Sequence, residues 1–311
     1  MSEDCFTYTR TIAFGECDSA RVLYTPRAVD FAVEAIESWF DEIVGVSWSE
    51  LVTTHGLEAT FLSMECDYLK PMTAGQTIRV QVRVVDCGAD LLTVSAHAER
   101  APGELVFRVR FEICLTALAD RAAVAIPAEF RENIRLYRLR CGDSIPPDSA
   151  TERERATPGA AAYPPAPRQD AEIPFSRKRR ISYGECVASG TMYLPRLIEC
   201  AVERVGEWYQ SCLGISWLDQ CASGKGVPFV NIRCDCLRPL RAGQTVRMLV
   251  RVPRLGTASI GYQVVGYDDA GVPCFTLRLS GCYTTEQGGS YLVLPFPEEM
   301  RGRIREYQKS C

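Results

Sequence analysis

Asp18 stands in the run Phe14-Gly15-Glu16-Cys17-Asp18-Ser19-Ala20-Arg21-Val22-Leu23-Tyr24-Thr25-Pro26. Pro26 opens a stretch with helical spacing, and proline suits the first turn of a helix, where its missing N–H costs nothing. A helix N-terminus offers unpaired N–H groups and a partial positive charge, which together stabilise a developing oxyanion. A carboxylate placed just ahead of such a terminus can attack a carbonyl or activate a water. The same carboxylate can also do no more than cap a turn.

The run occurs twice. Gly15 to Trp48 matches Gly184 to Trp217 without a gap, with Gly15, Glu16, Cys17, Tyr24, Pro26, Arg27, Glu34, Trp39 and Trp48 among the identities. The match resumes at Ala74-Gly75-Gln76-Thr77 against Ala242-Gly243-Gln244-Thr245 and ends with Ile126-Pro127 to Tyr137 against Phe296-Pro297 to Tyr307. This is a tandem duplication of one folding unit. It divides the chain into repeat 1 (1–140), a Pro/Ala-rich linker (141–172) with no apolar periodicity, and repeat 2 (173–311). Such a tether raises the effective concentration of one copy for the other and favours an intramolecular pseudo-dimer.

Each copy runs strand, turn, one long helix, then several strands. In the first helix Asp30, Glu34, Glu37, Ser38 and Asp41 form a polar stripe, and Ala28, Phe31, Ala32, Ala35, Ile36, Trp39 and Ile43 cover the broad opposite side. Gly45 ends it. In the second helix Glu199, Glu203 and Glu207 are outward and Ala201, Val202, Val205, Trp208 and Cys212 inward. Thereafter the period is two: Ile78, Val80, Val82 and Val84 alternate with Arg79, Gln81 and Arg83, and Leu92, Val94, Ala96 and Ala98 with Thr93, Ser95, His97 and Glu99. That pattern predicts antiparallel strands with one buried and one wet face, and an α+β fold in which a sheet wraps each helix.

Composition narrows the function. The 311 residues carry 35 Lys plus Arg against 39 Asp plus Glu, a net charge of −4 that argues against a general nucleic-acid binder. No apolar run reaches the length of a membrane span and the start has no signal-peptide character, so a cytoplasmic, membrane-independent protein is expected. The 15 cysteines include no CxxC pair, and there are only two histidines, His55 and His97. Neither pattern makes a zinc site. The cysteines are expected to be reduced, mostly buried thiols.

The strand–turn–helix order, joined to the Phe14–Pro26 run, resembles the hotdog fold of the 4-hydroxybenzoyl-CoA thioesterase family, whose pattern is close to F-G-[DE]-x-D-x-x-G-x-V-x-Y. The resemblance covers both copies. It implies a double hotdog acting on acyl thioesters of coenzyme A or of acyl carrier protein, with sites at the interface of the paired hotdogs and no cofactor or metal. By position, Asp18 is the family's nucleophile or general base, and the backbone N–H polarising the thioester carbonyl falls at Thr25. Two departures stand out. Val187, at the Asp18 position of repeat 2, cannot do acid–base chemistry, and the family glycine is Arg21 in repeat 1 but Gly190 in repeat 2. One competent pocket, walled by repeat 2, is therefore expected.

Further candidates each have a plainer reading. Arg21 can bind an anionic part of the substrate or solvate a turn. Tyr24 and Tyr193 can line a pocket or support the turn, and Arg27, like Arg196, can meet an anionic substrate or pair with Asp30 or Glu199. Glu34, on the helix, is the fallback catalytic carboxylate or part of a solvated face. Glu16 and Glu185 read as architecture, His97 as surface or interface, and Cys17 and Cys186 as packing. The basic run Arg177-Lys178-Arg179-Arg180 can attract phosphates or an acidic carrier. Alternatives to a hydrolase are a dehydratase-like enzyme on a carrier-bound chain and a noncatalytic acyl-thioester binder. A specialised biosynthetic role, such as release of a polyketide-like chain, fits the divergence of the copies, and further homo-oligomerisation stays open.

Overall fold

The computed structural model describes residues 5–142, 175–287 and 290–310. Most of the expected linker lies outside the described residues. Repeat 1 contains β1 (Thr7–Thr11), α1 (Thr25–Trp39), α2 (Trp48–Thr53), β2 (Leu57–Tyr68), β3 (Thr77–Cys87), β4 (Leu92–Ala101), β5 (Glu104–Ala117), β6 (Ala123–Val124) and α3 (Ala128–Cys141). Repeat 2 contains β7 (Ser176–Arg180), α4 (Leu194–Trp208), α5 (Trp217–Ala222), β8 (Lys225–Gly226), β9 (Phe229–Cys236), β10 (Thr245–Leu255), β11 (Ser259–Tyr267), β12 (Pro273–Cys282), β13 (Thr284–Gln287), β14 (Ser290–Val293) and α6 (Glu298–Lys309).

Ten strands form a continuous antiparallel sheet in the order β1-β3-β4-β5-β2-β9-β12-β11-β10-β7, with β6 added beside β5, and β14, β13 and β8 form a separate three-stranded sheet. The repeats join where β2 pairs β9, from Ser63↔Asp235 to Asp67↔Asn231, and Asn231 Nδ2 donates to Asp67 Oδ1 at 2.8 Å across that seam. One large apolar core runs through both copies, with Phe31, Ile36 and Trp39 of α1 and Ile198, Val205 and Trp208 of α4 in it, and Leu249, Val265 and Tyr267 form a small separate cluster. The fold is a double hotdog, two central helices held by a shared sheet. Each helix passes through one π-turn before a left-handed glycine ends it, Gly45 at φ 85° in repeat 1; that conformation is one that residues with a Cβ avoid.

The structure differs from the sequence reading in four places. The repeated C-terminal segments are helices, α3 and α6, which close the hotdogs. Their tyrosines clamp matching strands: Tyr137 Oη donates to the Val82 carbonyl and Tyr307 Oη to that of Val250, each at 2.5 Å. The strand faces expected to be wet are not uniformly so. Gln81, Thr93, Ser95 and His97 are buried, because β4 is an interior strand whose short polar residues lie in register between longer neighbours, Ser95 between Arg83 and Arg110 and His97 between Gln81 and Arg108. His97 is thus an interior residue, its Nε2 2.7 Å from Ser95 Oγ. Asp30, assigned to a polar stripe, is buried where α1 meets α4. Finally, Cys5 and Cys141 form a disulfide that ties the start of repeat 1 to the end of α3. The other described cysteines are free, and only Cys66, Cys114, Cys200, Cys234 and Cys274 of them are fully buried.

Candidate active site

Residues 16–24 form a tight hairpin that carries Asp18 and leads into α1. Tyr24 N–H donates to the Glu16 carbonyl at 2.9 Å, Asp18 N–H to that of Val22 at 3.0 Å, and Arg21 N–H to that of Asp18 at 2.9 Å. Arg21 takes the left-handed conformation, φ 62°, and Gly190 occupies the matching position at φ 81°. The family glycine is a backbone requirement, met by Arg21 at a cost of roughly 1–2 kcal/mol. Gly190 therefore shapes the turn. Glu16 holds the base of the hairpin: its Oε2 accepts from Ala13 N–H at 2.8 Å and its Oε1 pairs with Arg10 at 2.6 Å. Glu185 does the same in repeat 2, with Ser182 N–H at 2.8 Å and Arg179 at 2.5 Å.

The Asp18 carboxylate is half-buried and accepts one hydrogen bond, from Ala20 N–H at 2.9 Å. Burial raises its pKa above the ordinary aspartate value, and the Ala20 bond opposes only part of that shift. A carboxylate made more basic by desolvation is better suited to accept a proton from water. Thr25 is the first residue of α1, with Pro26 behind it, so its N–H is among those a helix leaves without an intrahelical acceptor. Tyr68 Oη donates to the Thr25 carbonyl at 2.9 Å and fixes that terminus from β2.

Repeat 2 supplies the facing wall. Ser19 Oγ lies 3.3 Å from Cys221 Sγ of α5. The Tyr24 phenol, raised by burial, also feels the negative charges of Glu203 and Glu199 of α4 and of Asp18. Tyr291 of β14, raised mainly by burial, is likewise within the field of Asp18. The surroundings of Asp18 therefore combine the repeat 1 hairpin with α4, α5 and β14 of repeat 2.

A second, pseudo-equivalent site has the roles exchanged. Val187 holds the position of Asp18 in the repeat 2 hairpin, and the Tyr193 phenol, again raised chiefly by burial, faces Asp30, Glu37 and Glu34 of α1. Glu34 thus belongs to this second site and not to the pocket of Asp18. It is also engaged, accepting from Arg10 Nη1 at 2.7 Å and Tyr8 Oη at 3.2 Å. Between the sites, where α1 crosses α4, Arg27 pairs with Asp30 at 2.8 Å and Glu199 at 3.1 Å, and Arg196 pairs with Glu199 at 2.6 Å. Arg27 is spent on this cross-repeat cluster.

Comparisons with known proteins agree with this architecture. Residues 12–134 match the family model of the thioesterase-like superfamily. The chain is a tandem double hotdog resembling that superfamily. A 12:0-ACP thioesterase from Umbellularia californica is 13% identical with a TM-score of 0.68, the match covering 90% of this double hotdog and 94% of that chain. An acyl-ACP thioesterase from Bacteroides thetaiotaomicron VPI-5482 is 11% identical with a TM-score of 0.61, over 91% of this chain and all of that one (100%). At these identities the likeness is one of fold. No curated protein matches the chain.

Among the described residues there is no cluster of three or more His, Cys, Asp or Glu able to hold a metal ion, and no helix is long and apolar enough to cross a membrane. The Cys17 and Cys186 thiols are pushed up by burial, against nucleophilic use. Sequence reasoning missed Tyr68, Cys221 and Tyr291 around Asp18, and Glu58 and Arg121 in the second site. They come from segments far along the chain, and only the exchange of walls between repeats brings them to the hairpins.

Proposed function

We propose that this double hotdog hydrolyses an acyl thioester of coenzyme A or of an acyl carrier protein, in one pocket per chain built on Asp18. The reading rests above all on one observation: a half-buried carboxylate of raised pKa stands in the hairpin that leads into the N-terminus of α1, whereas the matching position is Val187. The thioester carbonyl oxygen faces the Thr25 N–H, which stabilises the oxyanion as it forms. Asp18 removes a proton from water while the water oxygen bonds to the carbonyl carbon. The tetrahedral intermediate then collapses, the C–S bond breaks, and the leaving thiolate takes the proton from Asp18. The products are the carboxylic acid and the free thiol.

Tyr24 lines the acyl side. Arg21, exposed at the hairpin tip, offers its guanidinium to an anionic part of the thiol carrier. Neither histidine enters this arrangement: His97 is bonded within β4 and His55 stacks edge-on against Phe130. The His–carboxylate pair that a dehydratase would use is not formed at this pocket. The protein as a noncatalytic binder leaves the desolvated Asp18 without a task.

Thiol release from a panel of acyl-CoA and acyl-carrier thioesters, for wild type and Asp18→Asn, tests the reading. Saturable hydrolysis that collapses in the variant with the circular dichroism unchanged is expected. No hydrolysis of any thioester by wild type would refute it. A specialised role in releasing polyketide-like chains is tested by the same panel, and a broad preference for ordinary fatty acyl groups would count against it.

A further inference from the structure

Glu58, on β2 of repeat 1, is only 9% exposed and has no part in the proposed hydrolysis. Its Oε1 accepts from Ser189 Oγ at 2.6 Å and also from Thr191 Oγ1, while its Oε2 lies 2.5 Å from Arg121 Nη1. Ser189 and Thr191 flank Gly190 in the hairpin of Val187, with their hydroxyls 2.8 Å apart. Arg121 reaches Glu58 from the turn after β5, where it takes a left-handed φ of 64° and its N–H bonds the Ala117 carbonyl at 2.9 Å. Such a conformation in a residue with a Cβ persists where the surroundings over-determine it.

The other hairpin has none of these parts. Ala20 and Val22 stand where repeat 2 has Ser189 and Thr191. Gly226, in register with Thr284 as Glu58 is with Thr116, stands in the place of Glu58. A buried carboxylate is tolerated when it is paired and hydrogen-bonded, and here two hydroxyls bond Oε1 while the Arg121 guanidinium meets Oε2. We propose that the repeat 2 hairpin has become a carboxylate-binding site whose ligand is Glu58 of the same chain, a latch across the repeats that closes the second pseudo-pocket. The latch stands on its own geometry; its consequence, a single working pocket, rests on the hydrolase reading.

Glu58→Ala leaves Arg121, Ser189 and Thr191 around a space shaped for a carboxylate. Thermal unfolding of the full chain should show a Tm lowered by about 6–12 °C, as expected for breaking a buried ion pair. Sodium acetate or formate should then restore several degrees to the variant beyond its effect on wild type, with sodium chloride at equal ionic strength as the reference. An unchanged Tm, or an acetate response equal in variant and wild type, would overturn the latch. Should Glu58→Ala not fold, Glu58→Gln carries the test, since it keeps an acceptor for the hydroxyls but loses the charge. Adding Arg121→Gln to that variant should lower Tm little further; fully additive losses would overturn the proposal. A failed acetate response with hydrolysis intact refutes the latch alone, whereas a selective response in a chain that hydrolyses nothing refutes the catalytic reading alone.

Discussion

At Asp18–Val22 and at Val187–Thr191 the chain makes the same hairpin, closed by N–H···O bonds of 3.0 and 2.9 Å, yet the two hold different things. The first presents a half-buried aspartate that accepts one hydrogen bond. The second has valine in the place of that aspartate and grips a glutamate from the opposite repeat with two hydroxyls, while Arg121 of that opposite repeat pairs with the same glutamate. After duplication one copy is free to lose its chemistry provided the backbone that positions the other is kept. Here the lost charge is replaced by a charge from the facing repeat, spent on holding the copies together. On the reading proposed above, a pseudo-symmetric fold divides labour between equal loops, one kept for reaction and the other for cohesion.

Several substitutions would break or sharpen this contrast. Asp18→Asn should lower kcat/KM by about a thousandfold, within the ~10²–10⁴ range of general-base catalysis. Adding Val187→Asp to that variant should restore nothing, because the second hairpin is occupied by Glu58. In wild type, log kcat/KM should rise with pH as Asp18 ionises, with its midpoint above that of an ordinary aspartate and a plateau beyond it, and this limb should vanish in Asp18→Asn. The sign for stability is opposite. A carboxyl of raised pKa holds its proton more tightly folded than unfolded, so its contribution falls as pH rises through that pKa. Asp18→Asn should accordingly be no less stable than wild type near neutrality, as thermal unfolding would show.

Tyr68→Phe removes the bond that fixes the Thr25 carbonyl at 2.9 Å. It should cost about fivefold in kcat with KM little changed, the equivalent of one hydrogen bond of about 1 kcal/mol; a change in KM alone would place Tyr68 outside the positioning of the helix terminus. The smallest effect is at Arg21. Replacing it with glycine relieves the left-handed strain but adds unfolded-state entropy, for a net gain of about 0.5–1 kcal/mol in denaturant unfolding. The same variant should raise KM for coenzyme A thioesters if its guanidinium meets the carrier.

Much of the fold was legible because duplication writes it twice. Matching spacings at Tyr24-Thr25-Pro26 and Tyr193-Leu194-Pro195, and at Gly45 and Gly214, fix the two central helices without any contact information. The terminal helices are also encoded locally, by Phe130, Ile134 and Tyr137 at helical spacing. Other features depend on what packs against them. Asp30 looks like a surface acid until α4 brings Glu199 and Arg196 to the same place, and His97 looks half-wet until the register of β3 and β5 encloses it. Asp18 and Thr25 stand out as candidates in the sequence because they lie within one local motif. Glu58 has no local signal at all, since Ser189 and Thr191 sit more than a hundred residues away in the other copy and Arg121 reaches it from a distant turn of its own copy.

On the proposed reading, the two hairpins, alike in backbone, provide one working pocket per chain. Calorimetric titration of the full chain with a hydrolysis-resistant acyl-CoA thioether, taken from the best substrate of the panel, counts the pockets. One thioether bound per chain is predicted, with Arg21→Gly weakening it and Ser189→Ala leaving it unchanged. Two equivalent thioethers bound per chain would contradict it.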